Sequence, residues 1–305
     1  VVVVCGPTAA GKTTAGIELC EMAGGEIVSA DSVQVYEELD IGSAKPTPAE
    51  RARVTHHMLD VVRPDEPMTA AIYADLARRA ISDIIDRKKQ VVVVGGTGLY
   101  IRALIHGLMD APAAQPSLRK KLRAAEARLG KGTLHRRLRR VDPDTASRLH
   151  PSDLVRIIRA LEVEAVTGHP VSELHQRHAF REKIYDVKYI GLDPGRDALA
   201  RRIELRAAKM FDQGLVREAE GLLRRGYSPA ARPLRSPGYL QAFKVLFGEM
   251  TREEAMESVC TAHRRYARRQ RVWFRKVEPI EWYESPAAIP KRELSEWLRA
   301  GPCGG

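Results

Sequence analysis

The sequence predicts an α/β protein, a parallel sheet flanked by helices with an all-helical insertion, and three observations carry the prediction. The β-branched runs Val1–Val4 and Val91–Val94 read as buried strands. Across the first half such runs alternate with stretches of helical period, which implies parallel strands joined by crossover helices. Between residues 112 and 183 the β-branched runs stop, and the chain turns basic and helical.

Taken in order, Val1–Cys5 is the first strand, Gly6–Gly11 a loop, and Lys12 to Ala23 a helix. Glu26–Ala30 is the second strand. Met68 to Lys89 is expected to be helical, with Ile72, Leu76, Ala80 and Ile84 four residues apart. Val91–Val94 is the third strand and runs into Gly95-Gly96-Thr97-Gly98. Sheets of this kind bind ligands beyond the carboxyl ends of their strands. The Pro/Ala-rich segment Ala111–Pro116 opens the insertion, and Val187–Leu192 reads as a strand rejoining the sheet. The core is therefore expected at 1–111 and 184–305, with the insertion at 112–183. Leu199 to Arg225 reads as one helix. The last long helix, Arg252 to Val277, carries Met256, Val259, His263, Tyr266, Gln270, Trp273 and Val277 on one face.

Composition narrows the function classes. With 305 residues, 44% of them hydrophobic, the chain can bury a sizeable core. No apolar run approaches the ~20 residues that span a bilayer, so no membrane partner is expected. The chain opens inside a strand without a methionine, so native residues are expected upstream of Val1. Cys5, Cys20, Cys260 and Cys303 form no CxxC pair and no metal-ligand spacing, which fits a reducing cytoplasm. Nothing demands more than a monomer. The net charge of +11 is clustered: ten Lys/Arg lie between Arg119 and Arg140, and Arg264–Lys276 interleaves arginines with aromatics. Two such blocks favour a polyanionic partner.

The chemistry begins at Gly6-Pro7-Thr8-Ala9-Ala10-Gly11-Lys12-Thr13, which fits G-x-x-x-x-G-K-[ST]. A buried strand before it and a helix after it supply the context of a P-loop, so the sheet is expected to be P-loop NTPase-like. Backbone amides of such a loop cradle phosphate oxygens, and the helix N-terminus adds its positive dipole end. Lys12 would neutralise terminal phosphates and Thr13 would offer its hydroxyl to Mg²⁺. The cradle implies a bound di- or triphosphate without fixing the reaction. Nucleotide-binding enzymes that use ATP usually hold Mg²⁺ with an acid at a strand end. Here Val91–Val94 ends in glycines and Thr97, and the acid ends the second strand as Asp31. A phosphate clamp, one carboxylate and a glycine-flanked hydroxyl suit displacement of a diphosphate by a nucleophile that must lose a proton.

Seven segments give this reading a family. GPTAAGKT (Gly6–Thr13), DSVQVYEELDIGSAKP (Asp31–Pro46), HHMLDV (His56–Val61), GGTGLYIRAL (Gly95–Leu104), LHPSDLVRIIRALEV (Leu149–Val163), RIELRAAKMFDQGLVREAEGL (Arg202–Leu222) and GYLQA (Gly238–Ala242) follow in order. Together they resemble the tRNA dimethylallyltransferases, also called tRNA isopentenyltransferases, over nearly the whole chain. No Cys/His zinc module follows, so the chain looks like the bacterial type. The resemblance implies transfer of dimethylallyl from dimethylallyl diphosphate to the N6 amine of the adenine 3′ of the anticodon in tRNA, releasing diphosphate. That amine is a poor nucleophile, and the match puts Asp31 in the place of its general base, with Thr97 beside the reacting atoms and Arg206 on the leaving diphosphate. It also implies that Asp31, Ser32, Val33, Gln34, Thr97, Arg119, Val155, Arg156, Ile157, Ile158, Arg159, Arg235, Gly238 and Tyr239 touch the tRNA anticodon stem-loop. The base would have to be extruded into a pocket, and the basic insertion would grip phosphates.

Three other readings compete. A P-loop kinase would want a strand-end acid after Val94. A prenyltransferase acting on free adenine nucleotides would not need the basic insertion or the arginine-rich last helix. A non-catalytic nucleic-acid-binding module gives no reason for Asp31, Thr97 and a complete phosphate cradle together.

Overall fold

The computed structural model describes residues 1–109, 111–178, 184–277 and 279–301. They form two compact units, Val1–Ile105 with Ile184–Gly305, and His106–Lys183. The expected end of the insertion, at 183, lies outside the described residues.

The larger unit is built on β1 (Val2–Cys5), α1 (Lys12–Ala23), β2 (Gly25–Ala30), α2 (Pro48–Arg53), β3 (His56–His57), α3 (Ala70–Asp86), β4 (Gln90–Gly95) and α4 (Gly98–His106). The smaller unit carries α5 (Pro116–Leu129), α6 (Thr133–Val141), α7 (Pro143–Arg148), α8 (Leu154–Thr167) and α9 (Val171–His178). The chain then returns through β5 (Lys188–Leu192), α10 (Arg196–Asp212), α11 (Leu215–Arg224), α12 (Tyr239–Leu246), α13 (Arg252–Phe274), β6 (Ile280–Tyr283) and α14 (Lys291–Ala300).

All six strands run parallel in the order β3-β2-β4-β1-β5-β6. From β1 the chain crosses over β4 to reach β2, and later returns to the other side of β1 as β5. The direction of winding therefore reverses at β1, and a crevice opens at the carboxyl end of that strand. Alternate residues of the strands feed two layers. Val2 and Val4 pack with Ile17, Cys20, Leu294 and Leu298. Val3, Cys5, Val28 and Val93 pack with residues of α3, α4 and α10 to α13. Cys5, Cys20 and Cys260 are free and buried. The helical unit has its own core, with Leu122, Leu134, Leu138, Ile157, Ile158 and Leu161. No helix of the described residues is long and apolar enough to cross a membrane.

The structure departs from the sequence reading in four places. His56–His57 forms a strand on Ile27 and Val28, too short to show any alternation. The helix expected over Leu199 to Arg225 is two helices, because Gly214 takes φ 98° and stops the first. On α3 the buried face is Tyr73, Ala74, Ala77, Ile81 and Ile84, while Ile72 is exposed. A row of four-residue steps winds about 120° around a 3.6-residue helix between Ile72 and Ile84, so it cannot hold one face. Likewise Trp273 on α13 is partly exposed and Phe274 takes the core position.

Candidate active site

The loop between β1 and α1 has the conformation its glycines permit. Gly6 and Gly11 lie at φ 139° and 98°, and Ala9 joins them at 63°. A Cβ on Gly6 would run into the Leu192 carbonyl of β5, so the strand order itself requires glycine there. Gly11 caps α1, whose first residue is Lys12. The loop forms one wall of a cavity of about 520 Å³ that Thr8, Ala9, Gly11, Lys12, Thr13, Ser29, Asp31, Gln34, His56, Arg202, Leu205, Arg206, Tyr266 and Gln270 help to line. Lys12 Nζ donates to the Pro7 carbonyl at 2.7 Å. Burial, assisted by Arg206, brings the Lys12 amine down to about 8, and Asp31 opposes the shift.

Asp31 stands where β2 ends. Its Oδ1 accepts from the amides of Val33 at 2.8 Å and Gln34 at 3.2 Å, so the acid also holds a turn. Ser32 and Val33 are half-buried in that turn. The Gln34 amide donates to the carbonyls of Ser43 and Ala44 at 3.3 and 3.0 Å. Thr97 N donates to the Ala30 carbonyl at 3.1 Å, and its Oγ1 accepts from Ser32 N at 3.0 Å. Tyr266 lines the same cavity, and its phenol is pushed up to about 12 by burial and by Asp31. Arg206 reaches the cavity from α10 and donates to the Ser43 carbonyl at 3.1 Å. Its buried Nε has no partner among the described residues, and burial lowers its pKa. One turn earlier, Arg202 donates to the Ala10 carbonyl of the loop at 3.1 Å.

Four residues beyond the sequence reading complete the site. Gln270, buried on α13, accepts from Thr8 N at 2.8 Å and donates to the Gly96 carbonyl at 2.9 Å. Its signal was a polar side chain recurring on an otherwise apolar helix face. His56 lines the cavity with Nδ1 2.7 Å from the Val54 carbonyl, and its buried Nε2 has no partner among the described residues. That bond fixes the tautomer with the Nε2 lone pair free, and burial lowers the imidazole pKa. His263 is buried beside Arg206, and burial brings it down to about 3, so it is neutral. Glu218 collects the amides of Asp40, Ile41 and Gly42 at 3.1, 2.8 and 3.1 Å, and the Tyr239 hydroxyl at 2.5 Å. It thereby pins the segment whose carbonyls hold Gln34 and Arg206.

The residues expected to touch RNA divide sharply. Asp31 and Gln34 line the cavity. Val155, Arg156 and Arg235 are exposed. Ile157 and Ile158 are not at a surface: their side chains are the core of the helical unit. Tyr239 and Gly238 are buried as well, and a Cβ on Gly42 would meet the Tyr239 ring. Arg119 and Arg159 both bind the fully buried Glu162, Arg119 through two bonds of 2.7 Å and Arg159 at 2.6 Å. Burial opposes ionisation of Glu162, but these arginines and the Gln115 amide outweigh it and hold the carboxyl at about 2.

A divalent cation has few protein ligands to choose from. Among the described residues there is no group of three or more His, Cys, Asp or Glu that could hold a metal. Thr13 in the first turn of α1 fits the pattern in which Mg²⁺ takes one hydroxyl, phosphate oxygens and waters.

Comparison with known proteins agrees on one family. The IPP transferase family model matches residues 34–277. The tRNA dimethylallyltransferase of Anaeromyxobacter dehalogenans (strain 2CP-C) is 51% identical over 287 residues, which is 93% of this chain and 95% of that one. That of Myxococcus xanthus (strain DK1622) is 50% identical over 291 residues, 94% of each. Among solved structures, the tRNA isopentenylpyrophosphate transferase of Bacillus halodurans superposes with a TM-score of 0.68 at 35% identity, covering 98% of this chain and 95% of that one. A eukaryotic dimethylallyltransferase acting on tRNA gives a TM-score of 0.74 at 25% identity, covering 97% of this chain and 75% of that one.

Proposed function

The chain belongs to the tRNA dimethylallyltransferase family, and from that premise we propose how its cavity divides the work of prenyl transfer to tRNA. The observation that carries the proposal is one cavity, at the carboxyl ends of β1 and β2, lined by Lys12, Thr13, Asp31 and Arg206. The donor is dimethylallyl diphosphate, with its diphosphate on the amides of the Gly6–Thr13 loop and against Lys12. The acceptor is the N6 amine of the adenine 3′ of the anticodon, extruded from its stack to reach the cavity.

The N6 lone pair forms a bond to C1 of the dimethylallyl group, and the C1–O bond breaks with its electrons going to the diphosphate. The N6 proton passes to Asp31, whose Oδ1 is fixed by two amides while Oδ2 accepts no hydrogen bond from the described residues. Charge accumulating on the leaving diphosphate is met by donors already in place, Lys12 and Arg206. Both are half-buried in the cavity wall, where a fixed charge is screened less than in open water. Mg²⁺ held by Thr13 and the diphosphate would neutralise part of that charge. Thr97, oriented by Ser32 N, would bond the acceptor base. The exposed arginines of α6 and α8 supply phosphate contacts to the anticodon stem.

The test is incubation with radiolabelled dimethylallyl diphosphate and unmodified tRNA, followed by digestion to nucleosides. Label in adenosine carries the reading. Label that stays in the donor, or hydrolysis of ATP without it, overturns it.

A further inference from the structure

The phosphate cradle and the loop carrying Thr97 leave two neighbouring strands, β1 and β4, and nothing in the sheet ties them once the strands end. One side chain does. Gln270 takes the Thr8 amide on its carbonyl oxygen and gives its amide hydrogen to the Gly96 carbonyl, and it is buried. Its fit is tight, because a Cβ on Gly96 would collide with Gln270 Nε2. Gly96 leads directly into Thr97. Thr97 in turn meets Ser32 N and the Ala30 carbonyl, which places it against the strand end bearing Asp31. A continuous path of hydrogen bonds therefore runs from the cradle through Gln270 to the loop beside the general base.

We propose that Gln270 is a positioning residue: it fixes the separation between the donor cradle and the Thr97–Asp31 side of the cavity, and so sets the reach from the dimethylallyl C1 to the attacking amine. The inference rests on the prenyl-transfer reading above. The bridge needs an acceptor on one arm and a donor on the other, and the amide supplies both without titrating. Both bonds of Gln270 go to backbone, and this role needs no contact with either substrate. Each half-site keeps its own binding groups when Gln270 is lost, and what changes is the spacing between them. Misplacement by about 1 Å is worth ~10²-fold in rate.

Gln270→Met keeps the length and removes both bonds. Gln270→Glu keeps the acceptor for Thr8 and loses the donor to Gly96 unless it is protonated. In single-turnover transfer at saturating donor and tRNA, Gln270→Met is expected to slow the chemical step by ~10- to 100-fold. Inhibition by inorganic pyrophosphate and binding of tRNA should stay within about threefold of wild type, less than the ~1.4 kcal/mol that a tenfold change represents. For Gln270→Glu, the rate relative to wild type should rise as the pH falls. Burial raises the pKa of the new acid, and its protonated form restores the donor to Gly96. Taking the ratio removes pH effects common to both proteins. A side chain that merely supports the fold would not give that pH dependence.

A wild-type rate in Gln270→Met overturns the proposal. So does loss of pyrophosphate inhibition in step with the rate, which would make Gln270 part of the cradle alone. If Gln270→Met does not fold, a flat ratio for Gln270→Glu overturns it independently. Failure of the wild-type protein to label tRNA would instead sink the prenyl-transfer reading, before any variant is compared.

Discussion

Replacing Asp31 with asparagine separates two jobs that one side chain holds. The asparagine carbonyl oxygen can accept from Val33 N and Gln34 N as Oδ1 does now, at 2.8 and 3.2 Å, so the turn survives. The basic oxygen does not. Loss of a general base costs ~10²–10⁴-fold in rate, or about 2.7–5.5 kcal/mol of barrier. Asp31→Ala loses the same chemistry and both hydrogen bonds too. Bonds to a charged acceptor are worth ~1.5–3 kcal/mol, and in a half-exposed turn we take the lower end for the pair together. The two variants should therefore share a slow rate, with tRNA binding kept, while Asp31→Ala melts at lower temperature. Single-turnover transfer of labelled dimethylallyl reads the first effect and calorimetry the second. An Asp31→Asn enzyme within about tenfold of wild type would refute the base, and equal melting temperatures would refute the turn.

Lys12→Ala should raise the donor concentration required, and inorganic pyrophosphate should compete with the donor in the wild type; no inhibition at millimolar pyrophosphate would detach the loop from the diphosphate. Because the Lys12 amine is held at about 8, pyrophosphate affinity should fall as the pH rises through that value. Stability should move the opposite way between about 8 and the unfolded value of ~10.4, where the unfolded chain binds the extra proton; titration calorimetry and melts across that range check both signs. Glu162→Gln takes the charge from the buried partner of Arg119 and Arg159, which are themselves about a third exposed, and should cost the helical unit about 1–3 kcal/mol. In the native chain the stability from Glu162 is complete above its unfolded value of ~4.3 and is lost as pH falls through about 2, so acid unfolding followed by circular dichroism should differ between the two proteins only above that loss. Neutralising Arg136, Arg137, Arg139 and Arg140, all exposed on α6, should flatten the salt dependence of tRNA binding by ~0.9 in log–log slope per phosphate contact removed; an unchanged slope would make them an ordinary solvated face.

The loop was legible in the sequence because the residues of its motif are local, although its packing partners are not. Gly6, Gly11 and Lys12 sit within seven residues of one another, between a valine strand and a helix. Asp31 was legible for the same reason, at the end of an apolar run. Gln270 was not, since its partners Thr8 and Gly96 lie 262 and 174 residues away and only folding brings them to it. Motif membership proved a poor guide to direction. Tyr239, Ile157 and Ile158 belong to recognisable segments, yet their side chains point into cores, because a motif marks which residues are needed without saying whether they pack or bind. Arg119 and Arg159 looked like surface charge for RNA until Glu162, buried between them, gave both a partner. Periodicity misjudged α3 by following a fixed step of four, and it could not see the two-residue strand at His56 at all.

The neighbours of the phosphate loop are scattered along the chain, and that has a consequence for how the protein is made. Leu192 closes on Gly6, Arg202 holds Ala10, Gln270 holds Thr8, and Pro286 lies 2.9 Å from where a Cβ on Gly11 would be. At 5–20 residues per second, the ribosome finishes Thr13 roughly 15–55 seconds before it reaches Pro286. For roughly the first 9–35 seconds of that interval β1 has an edge waiting for β5, whose first paired residue, Lys188, meets Val2. An apolar strand left unpaired for so long is a target for chaperones and for association with other nascent chains. A polypeptide stalled partway carries the whole motif and no pocket.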